Sequence, residues 1–116
     1  MSRLRVVIES PFGSRPDGTR CTHEEMAANV HYLKRCILDS LKRGEAPFAS
    51  AALYPQVLDG ATPDERRVGM DAGFAWGSWS NLVAVYVDRG VTPGMTEGIE
   101  RYRRLGIAVE ERRLDA

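Results

Sequence analysis

The chain of 116 residues carries 16 Lys plus Arg against 16 Asp plus Glu, for a formal net charge of zero, with 43% apolar and 8% aromatic residues and two cysteines. That length predicts one domain over residues 1–116, with enough interior to fold without disulfide or metal staples. The charge balance argues against a polyphosphate partner such as double-stranded nucleic acid held by bulk electrostatics, and the longest apolar run, residues 82–87, is far too short to span a bilayer. The opening MSRLRVVIESP has too short an apolar stretch for a signal peptide, so a cytoplasmic protein with no membrane partner is expected. Cys21 and Cys36 match neither a zinc pair nor a disulfide scaffold and read as reduced thiols.

The first predicted element is a strand at residues 4–9, rich in branched side chains and stopped by Ser10-Pro11. Residues 11–21 hold two Pro and two Gly and read as a loop, of a length that is often functional. Thr22 and Glu25 form a capping-box pattern that opens a helix. Its apolar face is predicted as Met26, Val30, Leu33, Ile37 and Leu41, with Gly44 as the stop. Residues 48–53, between Pro47 and Pro55, are predicted as a short strand. Thr62 and Glu65 give a second capping-box pattern with Pro63 at the first helical position. In that helix Val68, Ala72, Ala75 or Trp76, and Trp79 are expected to face the core. Gly69, Gly73 and Gly77 recur along it at a cost of about 1 kcal/mol each relative to Ala, which implies close approach of a strand, a helix or a partner subunit.

Residues 82–87, LVAVYV, read as a parallel strand covered on both faces. A third helix carries Met95, Ile99, Tyr102 and Leu105 at helical spacing, and a last strand is predicted at 107–110. Four strands alternating with three helices define an α/β class, a small Rossmann-like three-layer sandwich with a mainly parallel four-stranded sheet. Such a sheet has two open edges, and the glycine-spaced helix offers Trp76 and Trp79, so a homo-oligomer is expected.

In an open parallel sheet, ligands sit beyond the carboxyl ends of the strands. Three segments fall there: Glu9, Ser10, Pro11 and Phe12; Tyr54 and Gln56; and Asp88 with Gly90, Thr92, Gly94 and Met95. Together they offer carboxylates, aromatic faces, small polar groups and helix amides, a set that suits a nucleoside or nucleotide. Structural readings stand beside the functional ones. Asp88 also fits a turn-forming Asx residue, Glu97 a favourable partner of a helix dipole, and Phe12 and Tyr54 ordinary rim aromatics. His23 and His31 read as surface residues. No Ser/His/Asp order, zinc cluster, Walker loop or GxGxxG is present in the sequence, so neither a metal nor a cofactor is expected.

The order SPFG, a capped helix, GEAPFASAALYPQVLD, TPDERRVGMDAG, an apolar strand ending in Asp, and GVTPGMTEGIERYRRLGIAVE resembles the nucleoside 2-deoxyribosyltransferase-like superfamily. In particular it is similar to the small branch found in phages, prophages and actinobacteria. The resemblance runs from about Leu4 to Glu110. It implies a flavodoxin-like fold and cleavage or transfer at the N-glycosidic bond of a 2'-deoxynucleoside or its monophosphate. It also implies a carboxylate that stabilises the oxocarbenium character of the sugar, as in retaining glycosidases. The family's glutamate position falls on Gly98, with Glu97 one residue earlier, about 100° away around a helix. The candidate catalytic groups are therefore Glu97, Asp88 and Glu9. The alternative is a non-catalytic nucleotide or nucleotide-derivative binder that lacks the nucleophilic glutamate.

Overall fold

Successive side chains of β1 (Arg5–Glu9) enter two different cores. Val6 and Ile8 pack with Tyr32, Leu33 and Cys36, whereas Val7 packs with Val83, Val85, Met95 and Tyr102. This period-two sorting is that of a strand covered on both faces. The structure, a computed structural model, describes residues 2–115. Its other elements are α1 (His23–Lys42), β2 (Ala46–Phe48), α2 (Pro63–Gly77), β3 (Leu82–Tyr86), α3 (Pro93–Arg104) and β4 (Ala108–Arg112), with 3₁₀ turns at Ser50–Ala52 and Tyr54–Gln56. All strand pairs are parallel, in the order β2-β1-β3-β4. Helix α1 lies on one face, and α3 with Phe74 of α2 lies on the other. The fold is thus an α/β, Rossmann-like (flavodoxin-like) three-layer sandwich. Strand order reverses between β1 and β3, and ligands favour the crevice at such a reversal.

The capping box of α1 forms as predicted. Thr22 Oγ1 accepts from the Glu25 amide at 3.1 Å and Glu25 Oε1 accepts from the Thr22 amide at 2.9 Å. At the other end Gly44 takes φ +85°, and the amides of Gly44 and Glu45 donate to the carbonyls of Leu41 and Ser40, the pattern of a Schellman stop. The buried face differs from the predicted one. It consists of Asn29, Tyr32, Leu33, Cys36 and Ser40, while Leu41 is exposed and Met26, Val30 and Ile37 are only partly buried. Both stripes have helical spacing. The observed one is favoured because its polar members find partners, and a satisfied polar group can be buried at little cost. Cys21 and Cys36 are buried free thiols, and burial pushes the Cys36 thiol up to about 12.

The strand predicted at 48–53 is corrected to Ala46–Phe48, followed by 3₁₀ turns. Pairing begins directly after the α1 stop, where the Ala46 amide donates to the Leu4 carbonyl at 2.8 Å. Pro47 is tolerated because β2 is an edge strand. The core face of α2 is also corrected. Val68, Trp76 and Trp79 are 58%, 68% and 72% exposed; the fully buried residues of α2 are Gly73 and Gly77, with Phe74 partly buried against the core. A Cβ at Gly73 would stand 2.8 Å from the Ser50 Cβ, and one at Gly77 would collide with the Tyr102 ring. The glycines therefore permit the close approach of the 3₁₀ segment and α3. Thr62 does not cap α2 with its side chain. Its hydroxyl donates to Asp59 at 3.1 Å, and Glu65 accepts from the Asp59 amide at 3.0 Å. Leu105, expected inside, is exposed, and β4 runs to Arg112 rather than ending at 110.

Candidate functional site

The pleat that sends Val7 toward α2 and α3 sends Glu9 the same way, one step beyond the last core layer. There it enters a cleft of about 550 Å³ at the carboxyl ends of the strands, a volume within the roughly 300–1,000 Å³ of small-molecule sites. Glu9 and Ser10 form its floor. Phe12, Gly13, Arg20 and Cys21 come from the β1–α1 loop, Ser50 and Tyr54 from the 3₁₀ segment, Arg66, Met70 and Phe74 from α2, and Thr92, Gly94, Met95 and Tyr102 from α3 and its cap.

Among the described residues, no side chain or amide donates to the Glu9 carboxyl, and burial alone pushes it up to about 8. It abuts α3 at Gly98, where an added Cβ would meet it. The Tyr102 phenol is raised, first by burial and then by the Glu9 charge. Beside Glu9, the buried Ser10 Oγ has no hydrogen-bond partner. The other carboxylates at the cleft are already engaged in holding its rim: Asp59 accepts from the Ala61 amide at 2.9 Å, and Glu65 accepts from the Asp59 amide. Arg66 reaches over the start of α3, where a Cβ at Gly94 would lie 3.3 Å from its Nη2. Arg20 Nη1 donates to the Gly60 carbonyl at 3.4 Å.

Thr92 caps α3 by accepting from the Met95 amide at 3.3 Å, which fixes Met95 and Gly94 in the wall. The Phe12 backbone is fixed by Asn29, whose Nδ2 donates to the Phe12 carbonyl at 2.8 Å and whose Oδ1 accepts from Arg89 Nε at 2.9 Å. Arg101 stacks 3.7 Å from the centre of the Phe74 ring.

Seven of the sequence-predicted residues line this cleft: Glu9, Ser10, Phe12, Tyr54, Thr92, Gly94 and Met95. Five do not. Pro11 is buried behind it. Gln56 turns away and donates to the Ala52 carbonyl at 2.8 Å. Gly90, at φ +89°, holds a turn against Pro16. Asp88 lies on the α1 side of the sheet, accepting from the Tyr32 hydroxyl at 2.5 Å and from the amides of Leu114 and Asp115. Glu97 points to the surface, where Arg67 donates to it at 2.9 Å and ties α2 to α3. Asp88 and Glu97 sit near strand and helix ends, but their side chains face other walls.

Sequence reasoning missed Arg20, Arg66, Phe74, Tyr102 as a cleft residue, and Asn29 as a loop anchor. Only Asn29 left a usable signal, its helical spacing with Leu33 and Cys36. Among the described residues no cluster of three or more His, Cys, Asp or Glu is placed to hold a metal ion, and no helix is long and apolar enough to cross a membrane.

A parallel sandwich with a cleft at its topological reversal defines the molecule as a doubly wound α/β protein with its candidate ligand site at the strand ends. A solved 2-deoxyribosyltransferase from the psychrotolerant bacterium Bacillus psychrosaccharolyticus superimposes with a TM-score of 0.62 over 94% of this chain and 72% of that one, at 14% identity. At that identity the likeness is one of fold. The chain belongs to the family described as a domain of unknown function, DUF7768, whose pattern matches residues 4–112. No curated protein matches the sequence.

Proposed function

We propose that the cleft binds a nucleoside or nucleotide and that Glu9 serves the chemistry of its N-glycosidic bond. The observation that carries this reading is a desolvated, unpartnered carboxyl facing an aromatic-walled cleft, since a strongly perturbed group of that kind is characteristic of functional sites. Phe12, Tyr54 and Phe74 offer apolar faces to a base, Ser10 a hydroxyl to a sugar, and Arg66 beside Gly94 a cation to a phosphate. The fold shared with a 2-deoxyribosyltransferase supports the same ligand class.

The test is release of free base from 2'-deoxynucleosides and their 5'-monophosphates. Glu9→Ala is expected to lower the rate by about 10²–10⁴-fold, the usual contribution of a general acid or base, and equal rates would remove Glu9 from the chemistry. Gly98, at the position that the family resemblance assigns to its glutamate, favours a second reading: a binder without turnover. Saturable heat of binding with no base released would establish it, and no binding by either class of ligand would end both readings.

The proposal includes a homo-oligomer, supported by two open sheet edges and the exposed Trp76 and Trp79. Sedimentation is expected to give a mass above 12.9 kDa for the chain, and a monomer at working concentration would refute this.

A further inference from the structure

The wall facing Glu9 is made by Gly98, in the middle of α3. A Cβ built there would lie 2.8 Å from Glu9 Oε2 and 3.2 Å from its Cδ. A side chain at 98 and the Glu9 carboxyl in its present place therefore exclude each other. Gly98 has no positive φ to explain it, and glycine inside a helix is otherwise disfavoured.

We propose that Gly98 is the positioning residue of Glu9, and that the pair makes this cleft a proton-donating site. The bare helix wall lets β1 present a carboxyl at a point that α3 would otherwise fill. The inference rests on the cleft being the ligand site. The phenol of Tyr102 on α3 feels the Glu9 charge. Arg66 and Glu65 from α2, Arg20 and Asp59 from the loops, and His23 from α1 line the same cleft. Among the described residues none of them hydrogen-bonds or ion-pairs with the carboxyl, so nothing there favours its ionised form over the neutral one.

At neutral pH the carboxyl O–H donates to an acceptor on the ligand, such as a ring nitrogen or carbonyl of a base. Where the glycosidic bond is cleaved, that proton passes to the departing ring nitrogen as the C1'–N bond breaks with its electron pair going to the base. Water adds its oxygen to C1', and the proton it gives up returns to the Glu9 carboxylate. The products are free base and free sugar, with no bond formed between Glu9 and C1'.

The test is a carboxyl-carbon NMR titration of the full chain, assigned with Glu9→Gln. Glu9 is expected to titrate near pH 8 in the natural protein, and at least one pH unit lower in Gly98→Ala, a substitution that favours helix and meets only the far end of the flexible Glu9 side chain. An ordinary Glu9 midpoint, or one that Gly98→Ala leaves in place, overturns the proposal. In parallel, affinity for the four 2'-deoxynucleosides should fall about tenfold from pH 7 to pH 9 as the donor is lost, and stay flat in Glu9→Gln, whose amide still donates. A flat profile in the natural protein also overturns it. Absence of binding to any nucleoside, with the titrations as expected, supports the Glu9–Gly98 pair while refuting the nucleoside reading of the cleft.

Discussion

Glu9→Gln will stabilise the protein progressively as pH rises from about 4.5 to 8, by about 3–5 kcal/mol at the top of that window. Burial raises the folded carboxyl from its usual 4.5 to about 8. Below 4.5 both folded and unfolded chains hold the proton and the group is neutral to stability. Between the two values the unfolded chain releases its proton while the folded chain keeps it, so the unfolded state binds fewer protons and stability falls with pH. Above 8 both are ionised and the loss is complete. Glutamine keeps the shape and removes the titration. Urea unfolding of both proteins at pH 4.5, 6, 7 and 8.5 measures the gap, and a gap that does not widen would mean that Glu9 is not buried as described.

The second large effect lies on the opposite face of the sheet, with no part in the cleft. Arg112, 5% exposed at the end of β4, donates through Nη1 and Nη2 to both oxygens of Glu45 at 2.8 and 2.7 Å. Glu45 also accepts from the Ser40 hydroxyl at 2.8 Å, and Arg112 reaches Glu110 at 2.6 Å. Arg112→Ala is expected to cost about 3–5 kcal/mol, because it leaves a buried carboxylate without its counter-charge. Arg112→Met with Glu45→Met should recover most of that loss, since replacing both charges by apolar groups removes the penalty at its source.

The same pair sets the acid limb. The Arg112 hydrogen bond holds the Glu45 carboxyl below its usual 4.5. At Asp88 burial would raise the carboxyl, but the Tyr32 hydroxyl and the Leu114 amide outweigh it and hold it below 3.8. For these depressed groups, stability is present above the unfolded value and is lost as pH falls through the folded one, below about 4. Thermal melts from pH 3 to 7 should show that limb, and show it shallower in Arg112→Ala, because without the Arg112 hydrogen bond burial raises the Glu45 carboxyl and its share of the acid-side loss disappears. A pH profile identical to that of the natural protein would mean that Arg112 does not hold Glu45 in solution.

Strands 1, 3 and 4, the three helices and the layer order follow from hydrophobic spacing, capping residues and breakers, which act over a few residues and are visible in one dimension. Glu9, Ser10 and Phe12 were legible for the same reason, because a strand that ends at Ser10-Pro11 places its next side chains at the mouth of a parallel sheet. The inward faces of α1 and α2 were not legible. Asn29 and Tyr32 are buried through partners distant in sequence, among them Arg89 and Asp88, and the α2 face is set by how closely Tyr102 and Ser50 approach Gly77 and Gly73. Asp88 and Glu97 were near the site in sequence yet aimed elsewhere, one toward the chain's last residues and one toward Arg67.

The sequence by itself determined an α/β sandwich with a polar cleft at its strand ends and no glutamate at position 98. Only the tertiary structure decided that the empty position faces Glu9. Spacing along a chain sets which residues share a face, whereas which side chain fills a given volume depends on the packing of elements nearly ninety residues apart, roughly the separation of β1 from α3.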